Sequence, residues 1–182
     1  MKLILVKHAE TEENAAGIIQ GHLPGKLSLK GIEEAKRTAE TLRNEKINYI
    51  YSSDLARAVD TTKEIIKFHS GVPVEYVREL RERHWGEFQG VKKSGIDDFS
   101  VEFAKRMGAE DIDLFYSRAE GFLRKALEKH PGETILVVGH GLFNRALISA
   151  INNRGIGGIE AVTHMKGGEI RVFDVDEKIL KQ

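Results

Sequence analysis

The sequence predicts an α/β domain built as a three-layer sandwich, with a mostly parallel central sheet flanked by helices. Residues 3–6 form a continuous apolar run, and residues 134–138 form a second one that is apolar after Thr134; such runs are of the kind that form strands buried on both faces. Segments with helical periodicity alternate with the strand-like segments, which is typical of a parallel sheet. The 182 residues show no repeat, linker or low-complexity stretch, so we expect a single domain over residues 1–182.

The helices follow from the spacing of apolar residues and from residues that start helices. Helical spacing covers residues 30–43, 55–68, 96–107, 114–129 and 142–151. Ser28 precedes the first of these segments and is positioned to start it. Ser53 or Asp54 is expected to cap the second.

Two further strands are predicted at residues 47–51 and 72–77. The second should lie nearer an edge of the sheet, because Pro73 has no N–H to donate to a strand ladder. The C-terminal part is predicted to form a loop at 155–158 and a closing hairpin of residues 161–164 and 169–175 around residues 166–168.

Charge and composition exclude several classes of protein. Lys and Arg number 28 and Asp and Glu number 28, so no net field draws the chain to nucleic acid or to a membrane. The absence of cysteine excludes disulfides, thiolate metal sites and a thiol nucleophile. The N-terminal apolar run is too short for a signal peptide or a membrane span, so we expect a cytoplasmic protein. The oligomeric state stays open, with a homodimer as one option.

Two histidines follow predicted buried strands. His8 comes shortly after residues 3–6, and His140 comes shortly after residues 134–138. Because ligands of open α/β sheets bind at the carboxyl ends of the strands, we expect both imidazoles in one site. Together with Arg57 and Glu82, this set of residues indicates a phosphate-binding pocket that contains a nucleophile and a proton donor. No pair among His22, His69, His130 and His164 has metal-ligand spacing on a helix, so we predict no metal.

Four segments carry a resemblance to a known family. They are LVKHAETEEN at 5–14, SSDLARA at 52–58, LRERHWGEFQG at 80–90 and VGHG at 138–141. In this order and at these distances they resemble the signature of the histidine phosphatase superfamily, in the branch that includes the cofactor-dependent phosphoglycerate mutases. The resemblance implies a phosphoglycerate-mutase-like fold. Lys7 departs from the family's usual Arg, and Ala9 replaces the more frequent Gly.

The resemblance implies that His8, Glu82 and His140 are catalytic. His8 would attack a phosphoryl group and carry it as phosphohistidine, which suits an imidazole because its reference pKa of about 6.5 leaves it largely neutral at pH 7. Lys7, Arg57 and His140 would meet the charge on the phosphoryl oxygens. Glu82 would protonate the leaving alkoxide and then activate water.

The resemblance also implies contacts in the pocket wall. The phosphate contact is Asn14, and the substrate contacts are Gln20, Gly21, Arg83 and His84. Asn14 fits a cap or a turn equally well, and Gln20 fits a surface position. Glu82 lies in a charged stretch, and only its spacing to Gly86 and Gly90 distinguishes it from Glu79 and Glu87.

Three functions compete. The segment 82–90 is more similar to the mutase form than to the usual phosphatase form, which tends to carry Glu where this chain has Gln89. The short stretch between Gly90 and His140 favours water as the acceptor, because mutases usually insert a longer segment there. We therefore expect a histidine acid-type phosphatase, a phosphoric monoester hydrolase that acts on a small phosphorylated metabolite without a cofactor. The alternatives are a mutase that needs 2,3-bisphosphoglycerate and, because of Lys7, a phosphate-ligand binding protein with weak turnover.

Overall fold

Five strands form the central sheet of the computed structural model, which describes residues 1–176. They are β1 (Lys2–Lys7), β2 (Tyr49–Ser53), β3 (Val74–Val77), β4 (Thr134–Gly139) and β5 (Ile170–Asp174). Their order across the sheet is β3-β2-β4-β1-β5. The first four run parallel, and β5 pairs antiparallel with β1. The predicted mostly parallel sheet is confirmed, and β3 lies at an edge as Pro73 indicated.

Helices cover both faces of this sheet. They are α1 (Glu12–Ala15), α2 (Leu29–Leu42), α3 (Ala56–Ile66), α4 (Val101–Arg106), α5 (Ile112–Lys129) and α6 (Gly141–Ile151). Short 3-10 helices occur at Arg78–Leu80, Gly86–Phe88, Lys93–Gly95 and Ile156–Gly158. Within residues 1–176, no helix has both the length and the apolar character that crossing a membrane requires.

Alternate residues of β1 build the cores on the two faces of the sheet. Leu3 and Leu5 pack on the side of α5 and α6, whereas Ile4 and Val6 pack on the side of α2 and α3. All four side chains are at most 1% exposed. Burying one such side chain contributes about 1.5–3 kcal/mol. The predicted three-layer sandwich is therefore confirmed.

The predicted helix starts are right for α2 and wrong for α3. The Ser28 hydroxyl accepts the Gly31 N–H at 3.0 Å and caps α2. Neither Ser53 nor Asp54 caps α3. The N-cap residue is Leu55, which has no side chain that can accept a hydrogen bond from the first turn. The Asp54 carboxylate instead accepts two hydrogen bonds of 2.6 Å from Arg81. A bidentate charge-assisted pair of this kind is stronger than a single cap bond.

The helix predicted over residues 96–107 is shorter in the structure, where only α4 is helical. Ser100 caps α4 by accepting the Phe103 N–H at 3.2 Å. The Asp98 carboxylate accepts the Ser100 N–H at 2.7 Å. These local bonds between side chain and backbone give residues before 101 an alternative to the helix.

The predicted closing hairpin is wrong, because residues 161–164 form no strand. β5 pairs with β1 instead, with Arg171 opposite Leu5. This pairing covers the edge that β1 would otherwise present. The loop predicted at 155–158 contains a 3-10 turn. Residues 177–182 lie outside the described part, so the extent of the domain to residue 182 stays a prediction.

Candidate active site

Parallel pairing of β1 with β4 brings the two predicted histidines together. Lys7 lies opposite Gly139 in the ladder, so His8 and His140 leave the sheet side by side. Their ring centroids are 5.1 Å apart. Arg57 reaches the same edge from the first turn of α3, which follows β2. The carboxyl edge of the sheet therefore holds all three, where open α/β sheets bind ligands.

The hydrogen bonds of His8 determine which ring nitrogen carries the proton. Nδ1 lies 2.8 Å from the carbonyl oxygen of Ala9, which can only accept, so Nδ1 is protonated. Nε2 then has a lone pair, and it accepts the Nε–H of Arg57 at 3.3 Å. Burial, followed by the charge of Arg57, lowers the pKa of His8 well below 6.5. His8 is thus a neutral imidazole whose Nε2 carries the lone pair that a nucleophile needs.

Arg57 is a fixed cation rather than an exposed helical charge. Its side chain is only 1% exposed. Nη1 donates to the Leu23 carbonyl at 2.6 Å, and Nη2 donates to the Gly21 carbonyl at 2.8 Å. Burial lowers the pKa of Arg57 to about 10, so the guanidinium still carries its charge at neutral pH. The backbone carbonyls of residues 21–24 therefore hold the Arg57 guanidinium beside Nε2 of His8.

His140 stands at the N-terminus of α6 and is fully buried. Its Nε2 lies 2.8 Å from the Ser53 hydroxyl. Its Nδ1 is buried and has no hydrogen-bond partner among the described residues. Burial, followed by the charge of Arg57, lowers the pKa of His140 well below 6.5. An unpartnered buried nitrogen beside His8 is costly unless a ligand pairs with it.

Glu82 is held where the first turn of α6 meets the pocket. One carboxylate oxygen accepts the Arg83 N–H at 2.9 Å, and the other accepts the Leu142 N–H at 3.0 Å. Glu82 lines the central cavity, whereas Glu79 and Glu87 are exposed and do not line it. Of the three carboxylates that the sequence left open, Glu82 alone has the placement of a proton donor.

Lys7 lies in the same pocket. Its Nζ donates to the Met165 carbonyl at 3.0 Å. Burial lowers the pKa of Lys7, against the opposing effect of Glu82. A Cβ added at Gly141 would lie 4.0 Å from Lys7 Nζ and 3.9 Å from Glu82 Oε2. Lys7 and Glu82 therefore flank the start of α6.

The remaining predicted contacts divide between the cavity and its supports. Asn14 lines the cavity and also completes the capping box of α1, in which Thr11 is the N-cap and the two residues exchange hydrogen bonds. Gln20 lines the cavity, and its Oε1 is buried without a partner among the described residues. Gly21 lines it too, at φ +52°, where a side chain would meet Gln89. These three residues therefore line the cavity, and their contacts with phosphate or substrate stay predictions.

Arg83 lines the cavity and His84 does not. Arg83 is buried, donates from Nε to the Glu110 carbonyl at 2.9 Å and lies over the Trp85 ring. The two ring nitrogens of His84 lie 3.1 Å from the Gly86 nitrogen and 3.1 Å from Gln89 Nε2. His84 thus lies behind the cavity wall, which does not support the predicted contact with substrate. Both hydrogen bonds of the His84 ring are made to residues of its own segment, Gly86 and Gln89.

Sequence reasoning missed the side chains that hold the Glu82 segment. Arg118 of α5 donates from Nη1 to the carbonyls of Glu79 and Arg81, both at 2.7 Å. It also pairs with the Glu110 carboxylate, with Nη2 2.8 Å from Oε2. The Glu110 carboxylate in turn accepts the His84 N–H at 3.2 Å, so Arg118 holds the backbone before Glu82 and Glu110 holds it after Glu82. Neither residue lies in a segment that carries the resemblance, so only the tertiary contacts reveal them.

The cavity that these residues line has a volume of about 980 Å³. His8, Arg57 and Lys7 line part of it, while apolar side chains including Trp85 and Ile159 line the rest. Within residues 1–176, no three His, Cys, Asp or Glu side chains are grouped so as to hold a metal ion.

We expect the two neutral histidines to make stability depend on pH. Their pKa values are lower in the folded chain than the unfolded value of about 6.5, so the unfolded chain binds protons first as pH falls. The stability they confer is fully present above about pH 6.5 and declines below it, by up to about 1.4 kcal/mol per pH unit for each histidine. Urea unfolding at pH 7.0 and 5.5 measures this. His8→Gln and His140→Gln should each flatten the dependence, and an equally steep dependence in both variants would contradict the assignment.

Fold and site together define a doubly wound α/β protein with an anion-binding pocket built on two histidines. The model of the histidine phosphatase superfamily (branch 1) matches residues 3–179, and the chain belongs to this family. The family that the sequence motifs indicated is therefore confirmed.

Similar proteins include both mutase-like proteins and phosphatases. The chain is 35% identical to phosphoglycerate mutase-like protein 4 of Arabidopsis thaliana, over 97% of this chain and 81% of that protein. It is 36% identical to a metal-independent phosphoserine phosphatase of the same plant, over 86% of this chain and 71% of that protein.

Solved structures show the same fold. A mycobacterial glucosyl-3-phosphoglycerate phosphatase in complex with VO3 superposes with a TM-score of 0.83 at 26% identity, over 94% of this chain and 91% of that one. The α-ribazole phosphatase of Shigella flexneri superposes with a TM-score of 0.87 at 24% identity, over 98% of this chain and 92% of that one. The phosphoglycerate-mutase-like fold is thus confirmed.

Proposed function

We propose that this chain hydrolyses phosphomonoesters of small metabolites through a phosphohistidine at His8. The observation that carries the proposal is the unprotonated Nε2 of His8, since Nδ1 is committed to Ala9 and Arg57 faces Nε2. Relatives named as phosphoserine phosphatases support hydrolysis as the reaction. A small phosphate ester is the proposed partner and the cytoplasm the proposed location. Light scattering measures whether the chain forms a homodimer.

In the first step, Nε2 of His8 attacks phosphorus while the bond from phosphorus to the alcohol oxygen breaks. Glu82 gives its proton to the leaving oxygen, so the alcohol departs neutral. Arg57 and Lys7 meet the negative charge on the phosphoryl oxygens. A bound dianion also favours the protonated form of His140, whose unpartnered Nδ1 then donates to it.

In the second step, water attacks the phosphorus of phosphohistidine and the bond from phosphorus to Nε2 breaks. The Glu82 carboxylate takes a proton from the attacking water, which restores the acid for the next cycle. Inorganic phosphate leaves and His8 returns to its neutral form. Every group in the two steps comes from the chain, so we propose that no metal or organic cofactor takes part.

The second candidate is a 2,3-bisphosphoglycerate-dependent phosphoglycerate mutase, in which a phosphoglycerate replaces water as the acceptor. The segment 82–90 and the likeness to phosphoglycerate mutase-like protein 4 favour it. However, the match to phosphoglycerate mutase 1 of Saccharomyces cerevisiae covers 63% of this chain and only 45% of that enzyme. We therefore place hydrolysis first.

One experiment separates the candidates. The purified protein is assayed for phosphate release from a panel of phosphomonoesters, with and without EDTA. A coupled mutase assay is run with and without 2,3-bisphosphoglycerate. Phosphate release that EDTA leaves unchanged supports the proposal. Mutase activity that exceeds phosphate release would replace it, and binding of esters without turnover would assign the chain to the binding proteins.

We expect Lys7→Met to lower kcat/KM by about tenfold or more, equivalent to about 1.4 kcal/mol of transition-state stabilisation. The methionine keeps much of the stem and removes the charge that faces the phosphoryl oxygens. Lys7→Arg should also slow turnover, because Nζ is already bonded to the Met165 carbonyl in a buried setting. Lys26→Met, on an exposed side chain, is the control. An unchanged kcat/KM in Lys7→Met would show that Lys7 does not act on the phosphate.

We expect Arg118→Met to reduce turnover through the position of Glu82. Without its bonds to the Glu79 and Arg81 carbonyls, the Glu82 carboxyl should meet the leaving oxygen less often. The loss should be about tenfold or more on an alkyl phosphate and smaller on p-nitrophenyl phosphate, whose leaving group needs no proton. Arg118→Lys should recover part of the rate. Equal losses on both substrates would indicate a general structural defect instead.

A further inference from the structure

Lys7 differs from Arg57, the other cation that faces the phosphoryl group, in that its side chain can become a nucleophile. It stands where the histidine phosphatase family usually has arginine. A guanidinium stays protonated in proteins, whereas a buried ammonium loses its proton more readily, and the neutral amine attacks acyl groups. Lysine at this position therefore adds a second nucleophile to the phosphate pocket, beside His8.

The amine of Lys7 has a defined orientation. Nζ lies 3.0 Å from the carbonyl oxygen of Met165, which can only accept a hydrogen bond. One N–H therefore points at this carbonyl, and the lone pair of the neutral amine points elsewhere. Lys7 is half-buried and lines the cavity, so a ligand in the cavity can reach that lone pair.

Gly141 leaves an open space between Lys7 and Glu82. A Cβ added at Gly141 would lie 4.0 Å from Lys7 Nζ and 3.9 Å from Glu82 Oε2, so the point between the two groups is unfilled. Glu82 is the proposed donor to the leaving oxygen, which places that oxygen next to this space. The carbon bonded to the leaving oxygen then lies within reach of Lys7 Nζ.

An acyl phosphate would place an electrophilic carbon at this position. In the phosphate ester of an alcohol, the carbon next to the leaving oxygen is saturated and resists attack by an amine. In an acyl phosphate the same carbon is a carbonyl carbon, which amines attack readily. The phosphate end of such a compound has the charge and shape of an ester's phosphate, so it would bind at His8 and Arg57 in the same way.

Burial favours the reactive form of the amine. It lowers the pKa of Lys7, against the opposing charges of Glu82, Glu34 and Glu169, and the charge of Arg57 lowers it further. The fraction of neutral amine is therefore larger than for a lysine with the ordinary pKa. Binding both partners in one complex also accelerates their reaction, because it no longer depends on a random encounter.

We propose that Lys7 is a modification site for acyl phosphates, which acylate its Nζ and thereby reduce turnover of phosphate esters. Nζ of the neutral amine forms a bond to the carbonyl carbon, and the bond from that carbon to the bridging oxygen breaks. The proton that nitrogen loses passes through the Glu82 carboxylate to the departing phosphate. The products are an amide and hydrogen phosphate.

Acylation removes the positive charge of Lys7, so the phosphoryl oxygens lose one of the cations that face them. The proposal rests on the proposed function for the placement of the phosphate at His8. It adds a second reaction at the same site, in which the carbon rather than the phosphorus of the ligand is attacked.

Acetyl phosphate is the probe, and Lys92 is the reference because it is exposed and does not line the cavity. Peptide mass spectrometry follows acetylation of each lysine over time in the wild type and in His8→Gln, which cannot divert the reagent into hydrolysis. In His8→Gln we expect Lys7 to react about tenfold faster than Lys92 or more. With excess reagent, Lys7 should also be the faster site in the wild type. Inorganic phosphate should slow acetylation of Lys7 and not of Lys92.

A reagent without a phosphate group separates binding from intrinsic reactivity. N-hydroxysuccinimidyl acetate should acetylate Lys92 at least as fast as Lys7. The wild-type rate on p-nitrophenyl phosphate should fall in step with the fraction of Lys7 that acetyl phosphate has modified, by about tenfold or more at full modification. Lys7→Arg has no amine at this position, so its own rate should be the same before and after the treatment.

The failures of the two proposals are distinguishable. Equal acetylation of Lys7 and Lys92 by acetyl phosphate, or a preference for Lys7 that inorganic phosphate does not reduce, would overturn the modification site whatever the turnover of esters. An equal loss of rate in treated Lys7→Arg would overturn it as well. Acetylation of Lys7 that inorganic phosphate slows, together with no phosphate release from any ester, would overturn hydrolysis and keep the modification site.

Discussion

Replacing His8 by alanine should abolish phosphate release. The imidazole is the group that forms the bond to phosphorus, and no other described side chain places an unprotonated nitrogen against Arg57. Removal of a covalent nucleophile costs on the order of 10⁴-fold to 10⁶-fold in kcat. The wild-type protein, quenched during turnover of a ³²P-labelled ester, should carry label that is acid-labile and base-stable, and His8→Ala should carry none.

Two controls keep that result interpretable. Thermal unfolding shows whether His8→Ala retains the fold, since the side chain is buried between two strand ends. Added imidazole should restore a small part of the rate by entering the space left by the ring. Full activity in His8→Ala, or label retained on another residue, would contradict the phosphohistidine mechanism.

Replacing Glu82 by glutamine should have the second largest effect, and its size should depend on the leaving group. Loss of a general acid costs about 10²-fold to 10⁴-fold on an alkyl phosphate, which is about 2.7 to 5.4 kcal/mol. The loss should be much smaller on p-nitrophenyl phosphate. Glutamine keeps one oxygen that can accept the Leu142 N–H and so preserve the start of α6, while its NH2 group replaces the oxygen that accepts the Arg83 N–H.

Two neighbouring carboxylates serve as matched controls for this change. Glu79 and Glu87 are exposed and stand in the same charged stretch. Glu79→Gln and Glu87→Gln should leave both rates near the wild-type values. If Glu82→Gln still hydrolyses the alkyl phosphate at the wild-type rate and Glu87→Gln does not, the general acid is Glu87 rather than Glu82.

Much of the fold follows from local patterns. The runs at 3–6 and 135–138 are apolar at every position because β1 and β4 are buried on both faces, and this composition is enough to predict them. The position of β3 at an edge followed from the missing N–H of Pro73. Placement of His8 and His140 at one edge followed from the rule for parallel sheets, which needs only the order of elements.

The resemblance, rather than any local pattern, identified Arg57 and Glu82. Helical periodicity alone would leave Arg57 as a solvated charge, and composition alone would do the same for Glu82. The structure buries Arg57 against the carbonyls of Gly21 and Leu23, which lie far from it along the chain. It also binds Glu82 to the backbone of α6. Their catalytic roles stay predictions until the variants are measured.

The sequence by itself determined the strand and helix order, the family and the meeting of two histidines at one sheet edge, because each depends on residue type and short-range spacing. Only the tertiary structure decided four features. They are the tautomer of His8, the position of His84 outside the cavity lining, the hydrogen bonds of Arg118 to the backbone before Glu82, and the pairing of β5 with β1. The Arg118 contacts and the β5–β1 pairing depend on which donors and acceptors from distant segments meet once water is excluded. The bonds of His8 and His84 are local, but they depend on a backbone conformation that the rest of the fold sets. Such pairings leave no periodic trace in the segments that form them.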